Sequence, residues 1–269
     1  MFCAYLEDAC GILLAGHKQY LVESRLGRIL HERGFSSLAD LVAKLKLPGN
    51  SALKEEIINA MTTNETLWFR DNHPYDILLN KVLPELSEKL SEKLSRQRLR
   101  VWSAACSTGQ EPYSISMILQ EFKETNRQAF LGEEITATDI CTAVLNQAKL
   151  GEYEMLALGR GLSRPRLEKF FQQGAKESWS VKPEVKARVR FRELNLLGSY
   201  GSMGQFDIVF CRNVLIYFSS ERKQDILRKI HKSLKPGGYL FLGASESISG
   251  LTDCYEMIHC RPGIIYQAK

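Results

Sequence analysis

A mostly parallel α/β sheet preceded by an all-helical domain is the fold class this sequence predicts, and three observations carry it. Apolar residues recur at helical spacing up to about residue 94. From Leu99 onward, short apolar runs alternate with helical stretches, the pattern of a parallel sheet covered on both faces. With 269 residues, 44% of them hydrophobic, the chain can bury a sizeable core without disulfides or metals.

In the first part, Leu21, Val22, Leu26, Ile29 and Leu30 form one helical stripe, and Lys18, Arg25 and Arg28 fall on the opposite face. Gly34, after His31 and Arg33, is a fitting stop. A second helix spans SLADLVAKL and ends before Pro48-Gly49. A third, LKEEIINAM, follows Asn50-Ser51, which can cap it. LSEKLSEKLSRQRLR is charged and poor in apolar residues, so it reads as a solvated helix leading into a new domain. The expected division is a helical domain over 1–78, a linker helix over 79–97 and an α/β domain over 98–269.

The α/β part opens with the strand RLRVWSAAC, ended by Ser-Thr-Gly, and the helix PYSISMILQEF, with Pro112 in its first turn. EEITATDI and CTAVLNQAKLG give the next strand and helix. VRFRELNLL and FDIVFC are further strands, followed by the helix ERKQDILRKIHKSL, a Lys-Pro-Gly-Gly turn and the strand YLFLGAS. YEMIHCRPGIIYQAK reads as a terminal β-hairpin. A basic insertion at about 160–192 interrupts the alternation, with ten basic residues against three acidic, a local +7 in a chain of net +5. Such an excess implies an acidic partner, protein or nucleic acid.

No apolar run reaches the 18 residues of a membrane-spanning helix, and the first residues carry acidic rather than basic groups. A soluble, cytoplasmic protein is expected, without membrane insertion. The seven cysteines lack CxxC spacing and the five histidines are scattered, so reduced thiols and no metal are expected.

In an open α/β sheet the ligand sits beyond the carboxyl ends of the strands, near the first strand-to-helix turn. That turn is Ala104-Ala105-Cys106-Ser107-Thr108-Gly109-Gln110-Glu111-Pro112. It has one glycine where a dinucleotide site wants three, and it places Glu111 where a pyrophosphate would sit. Like charges at close range repel by roughly 1–4 kcal/mol. A cationic nucleoside such as S-adenosylmethionine suits the turn better, with Asp139 at the end of the second strand holding its ribose hydroxyls. Together with LKPGG before a late strand and the hairpin, these residues favour a class I methyltransferase, with a Rossmann-like sheet.

The motifs MTTNETLWFRD (61–71), VWSAACSTGQEPYSISM (101–117), ATDI (137–140), LNLL (194–197), VFCRNVLIYF (209–218) and LKPGGYLFLGASES (234–247) occur in this order. Together they resemble the chemotaxis receptor glutamate methyltransferases, the CheR family, over nearly the whole chain. The resemblance implies transfer of a methyl group from S-adenosylmethionine to glutamate side chains of chemoreceptors, giving γ-methyl esters and S-adenosylhomocysteine. It also implies a cytoplasmic enzyme recruited to membrane receptor arrays. By motif it places the cofactor among Asn64, Thr66, Arg70, Glu111, Asp139, Asn195, Leu196, Arg212 and Asn213. Arg212 and Tyr217 are candidates for orienting the acceptor.

A glutamate side chain, with an ordinary pKa of about 4.3, is already an anion at neutral pH and needs no general base. The Lys18/Arg25/Arg28 face suits docking on the acidic, Glu-rich helices of a receptor. The insertion corresponds to the family's small β-subdomain, which in some members grips a receptor C-terminal pentapeptide by strand addition. Its single Gly174, where tethering members resemble a longer, Gly-richer loop, points away from such a tether. The competing reading is a nucleic-acid methyltransferase binding phosphates through the insertion. Against it, Arg-Asn-Val-Leu-Ile-Tyr stands where an Asn-Pro-Pro-Tyr-like motif would read bases.

Overall fold

The computed structural model describes residues 1–14, 20–91, 98–126, 130–174, 177–248 and 250–269. The helical part comprises α1 (Phe2–Cys10), α2 (Tyr20–Glu32), α3 (Leu38–Lys46) and α4 (Ser51–Met61). Each buries one apolar stripe: Leu6, Leu26, Leu41, Leu45 and Ile57 meet in a core of their own. Ser37 caps α3 by accepting from the Asp40 amide. Asn50 does not cap α4 as the sequence suggests. Its amide donates to the Lys44 and Leu47 carbonyls, closing the end of α3 instead.

Helix α5 (His73–Ile77) continues through a π-turn over Leu78–Val82 into α6 (Leu83–Ser91). Tyr75, Leu78, Val82, Leu83 and Leu86 pack into the core of the α/β body, not into that of the helical domain. The boundary therefore falls just after Met61 rather than at 78. The end of the expected linker helix, 92–97, lies outside the described residues.

A seven-stranded sheet follows: β1 (Leu99–Ala104), β2 (Glu133–Asp139), β6 (Val189–Glu193), β7 (Phe206–Cys211), β8 (Leu234–Leu242), β9 (Tyr255–His259) and β10 (Ile264–Ala268). Their order is β6-β2-β1-β7-β8-β10-β9. The first five are parallel, and β10 pairs antiparallel with both β8 and β9, so the last two strands form the hairpin. Residues of β1 and β7 are buried almost throughout, as parallel strands covered on both faces must be. Helices α7 (Gln110–Thr125), α8 (Thr142–Leu150) and α12 (Ser220–Ser233) supply the covering layers.

The interruption is a second, antiparallel sheet, β3-β5-β4, built from Glu152–Glu154, Ser178–Val181 and Phe171–Gln173. It starts at Glu152, earlier than the expected 160, and β6 at 189–193 belongs to the main sheet. The charge of this region finds its partners inside the chain. Arg166 makes two 2.9 Å bonds to Glu121, Lys169 meets Glu124 at 2.7 Å, Arg188 meets Glu133 at 3.3 Å and Arg164 meets Glu168 at 2.9 Å. Arg160 pairs with Glu65. Lys182 and Lys186 each donate to a carbonyl at 2.6 Å, of Lys169 and Leu150. Three of the ten cations, Arg166, Lys169 and Arg188, are thus matched by acidic residues of α7 and β2, and Arg160 by Glu65, so part of the local +7 is neutralised within the chain.

Candidate active site

The carboxyl ends of β1, β2 and β7 lie side by side in the middle of the sheet, where the chain direction of the crossovers reverses. They open on a cavity of about 400 Å³, within the range of small-molecule sites. The helical domain forms part of its wall through Cys10, Ile12, Leu13, Tyr20 and Arg25. Two polar contacts fasten that wall to the α/β body: the Leu13 amide donates to the Tyr217 carbonyl at 2.8 Å, and the Asn195 side chain donates to the Ala9 carbonyl at 2.8 Å. Gly11 (φ +80°) sits against Phe218, where a Cβ would lie 2.2 Å from the ring.

Non-glycine residues in the left-handed region cluster around this cavity. Phe69, Asp71 and Asn72 adopt φ of +47° to +67° in the segment after α4, Ala105 and Ser107 adopt +61° and +50° in the first turn, and Asn213 adopts +57° after β7. Such conformations cost about 1–3 kcal/mol each and persist where surrounding structure holds them.

Asn64, Thr66, Arg70, Glu111, Asp139, Asn195, Leu196, Arg212, Asn213 and Tyr217 all line the cavity. Glu111 accepts from the Ser103 hydroxyl at 2.8 Å and lies 3.5 Å from Arg212. Burial raises its carboxyl above the ordinary value, although Arg212 and Ser103 pull the other way. Asp139 accepts from the Ser107 amide at 2.8 Å and the Cys141 amide at 2.9 Å, which pins the first turn to the end of β2. Burial raises its carboxyl too, against those amides. The Cys106 thiol beside both is pushed far up, by burial first and then by the two carboxylates. It is an inert wall rather than a nucleophile.

Several residues differ from their expected roles. The Arg212 side chain is 1% exposed and committed to the protein, donating to the Arg70 carbonyl at 3.0 Å and to Asp71 at 2.6 Å. It holds the 70–71 segment and lies beside Glu111, while its buried Nε has no hydrogen-bond partner among the described residues. Arg70, by contrast, makes one long contact of 3.5 Å to the Glu65 carbonyl. Asn195 holds α1 and accepts from Leu197, so both ends of its amide are engaged. Arg25 is not a free docking cation: it donates to the Met61 and Thr62 carbonyls and to the Thr63 hydroxyl. Arg28 stays exposed beside Glu32, and Lys18 lies outside the described residues.

The lining is also not uniformly negative. Glu65, Glu111 and Asp139 share it with Arg25, Arg70 and Arg212, with the carboxylates of Glu111 and Asp139 at the β1 and β2 ends. Sequence reasoning missed the segment's anchors. Trp68, buried edge-on against Tyr153 at 4.9 Å and Phe171 at 5.3 Å, ties residues 64–70 to the small sheet. Glu246, four residues beyond β8, binds the loop after β7. Both sit in stretches without a periodic signal of their own.

Comparison with known proteins agrees with this architecture. Residues 1–62 match the model of the CheR methyltransferase all-alpha domain, and residues 64–264 match that of the CheR methyltransferase SAM binding domain. The chain is 55% identical to a chemotaxis protein methyltransferase, Cher2, of Pseudomonas putida, across 100% of this chain and 96% of that one. It is 54% identical to chemotaxis protein methyltransferase 1 of Pseudomonas aeruginosa, covering 100% and 97% of the two chains. Against chemotaxis protein methyltransferase 1 of Vibrio cholerae the identity is 47%, covering 100% and 95%. No described helix is long and apolar enough to cross a membrane. With a helical domain closing a cavity at the switch point of a parallel sheet, this chain belongs to the CheR methyltransferase family.

Proposed function

We propose that this protein methylates glutamate side chains of chemoreceptors, using S-adenosylmethionine and releasing S-adenosylhomocysteine, in sensory adaptation. The observation that carries the reading is the pair of carboxylates, half-buried Glu111 and buried Asp139, at the β1 and β2 ends of a cavity lined, among the described residues, by no histidine or lysine. That donor set fits an adenosyl sulfonium. Asp139 would hold the ribose hydroxyls, Leu196 would flank the adenine, and Asn64, Thr66, Glu111 and Asn213 would bind the amino-acid end.

Bound there, S-adenosylmethionine supplies a methyl carbon activated by its sulfonium. The protein must hold a glutamate carboxylate oxygen about 3–3.5 Å from that carbon, in line, and keep water away. The acceptor is ionised already, so no side chain has to remove a proton. Arg212, whose Nε is unpartnered, and Tyr217 are the candidates to orient it, and Arg70, with one long contact of its own, joins them in the lining. The exposed Arg28 is the remaining described cation of the expected receptor-docking face. A C-terminal pentapeptide tether is not part of this reading, since β4 and β5 are joined by residues 174–177 alone.

The test is transfer of labelled methyl from S-adenosylmethionine to receptor-bearing membranes, followed by mild alkali. Release of volatile labelled methanol marks a carboxyl ester. Label that resists alkali, or goes to nucleic acid, would overturn the assignment.

A further inference from the structure

The loop that carries Asn213 and Tyr217 has no regular partner of its own, yet it is held in one shape. After β7 the chain turns left-handed at Asn213 and enters a single 3-10 turn, Leu215–Tyr217. The amides of Asn213, Val214 and Leu215 point the same way, and no strand or helix satisfies them. They converge on one side chain from another element. Glu246 Oε2 accepts from Asn213 at 2.8 Å and from Gly243 at 2.7 Å, and Oε1 accepts from Val214 at 3.0 Å and from Leu215 at 2.8 Å.

We propose that Glu246 is a positioning residue for methyl transfer, its carboxylate clamping the Asn213–Tyr217 loop to the end of β8 through these four amides. Glu246 lies outside the cavity lining and acts through the residues it holds. Four donors on two oxygens make an acceptor-only carboxylate the one fitting side chain of this length. A glutamine would turn an NH2 toward two of the amides. The clamp also reaches the helical domain, because the Tyr217 carbonyl at the end of the loop receives the Leu13 amide. Gly243 is part of the device: a Cβ there would lie 2.7 Å from Glu246 Oε2 and 2.9 Å from the Asn213 amide.

This inference rests on the methyltransferase reading above, and the full chain tests it in two arms. In the first, S-adenosylhomocysteine titrated by calorimetry counts folded sites, and methyl transfer is expressed per site. Glu246→Gln should lower kcat per site on the order of 100-fold, as a misplacement near 1 Å does, while the product Kd stays within about fivefold. Gly243→Ala should reproduce the defect with Glu246 intact. Unchanged kcat per site, or product binding lost in step with activity, would overturn the proposal.

In the second arm, amide hydrogen exchange compares the same variants with the parent. Exchange at Asn213–Leu215 should accelerate while α12 and β7 keep their protection. Equal protection of those three amides in Glu246→Gln would likewise overturn it. If the parent protein modifies some acceptor other than receptor glutamate, the assignment of substrate falls, but both comparisons remain decisive for Glu246.

Discussion

The Arg25 guanidinium donates to the Met61 carbonyl at 2.7 Å, joining a cation of α2 to the last residue of α4. The same group reaches the Thr62 carbonyl, at the start of the segment that lines the cavity. Arg25 and Arg28, three residues apart on one helix, therefore do different work.

Replacing Arg25 by Ala should weaken S-adenosylhomocysteine binding by roughly tenfold, the loss of one charge-assisted hydrogen bond's worth of order. Arg28→Glu should leave that Kd unchanged and raise KM for receptor. Calorimetry with the product and initial rates on receptor membranes separate the two. A tenfold binding loss in Arg28→Glu would remove the distinction.

Glu111 and Asp139 should contribute less stability to the ligand-free protein at neutral pH than in mild acid. Burial raises both carboxyls above their unfolded values, so the folded chain holds those protons more tightly. The stabilisation from the two groups therefore grows as pH falls through the folded values and is absent at higher pH, where the buried charges cost free energy. Glu111→Gln should raise Tm at pH 8, with the gain shrinking toward pH 5, and should weaken binding of the cationic methyl donor. Scanning calorimetry across that range is the check. A lower Tm at pH 8 would mean that the pairing with Arg212 outweighs burial.

Trp68→Ala should cost about 3–5 kcal/mol, as large aromatic truncations in a core do. For a chain of this size, that corresponds to a fall in Tm of roughly 10 °C. Beyond stability, the Asn64–Arg70 segment would lose its contacts with Tyr153 and Phe171. Methyl transfer per folded site should fall as well, which thermal unfolding alone would not report.

Duplex DNA should bind no better than other polyanions, with Kd of about 10⁻⁴–10⁻⁶ M or weaker at physiological salt, because five cations of the insertion, Arg160, Arg164, Arg166, Lys169 and Arg188, are already paired with Glu65, Glu168, Glu121, Glu124 and Glu133. Fluorescence anisotropy of a labelled duplex measures it. Nanomolar binding would revive the nucleic-acid reading.

The sheet was legible because parallel strands buried on both faces must be apolar runs, and FDIVFC and RVWSAA are such runs. Glu111 and Asp139 were legible because the first two strand ends sit at a fixed place in this topology. The pairing of the insertion was not, since Arg166 and Glu121 are 45 residues apart and Arg188 and Glu133 are 55 apart. Helical periodicity put Arg25 on the outer face, but a long side chain can reach across to a neighbouring helix end. Glu246 gave no sign because its partners are backbone amides, which every residue type carries.

The bond from Leu13 to Tyr217 has a consequence for evolution and engineering. The amino-terminal helices are not a detachable adaptor, since they finish the vessel in which the reaction runs. Chimeras that exchange those helices between relatives should carry a changed methyl-donor affinity with them. A fragment starting near residue 64 would keep its sheet while one wall of its reaction chamber stood open to water.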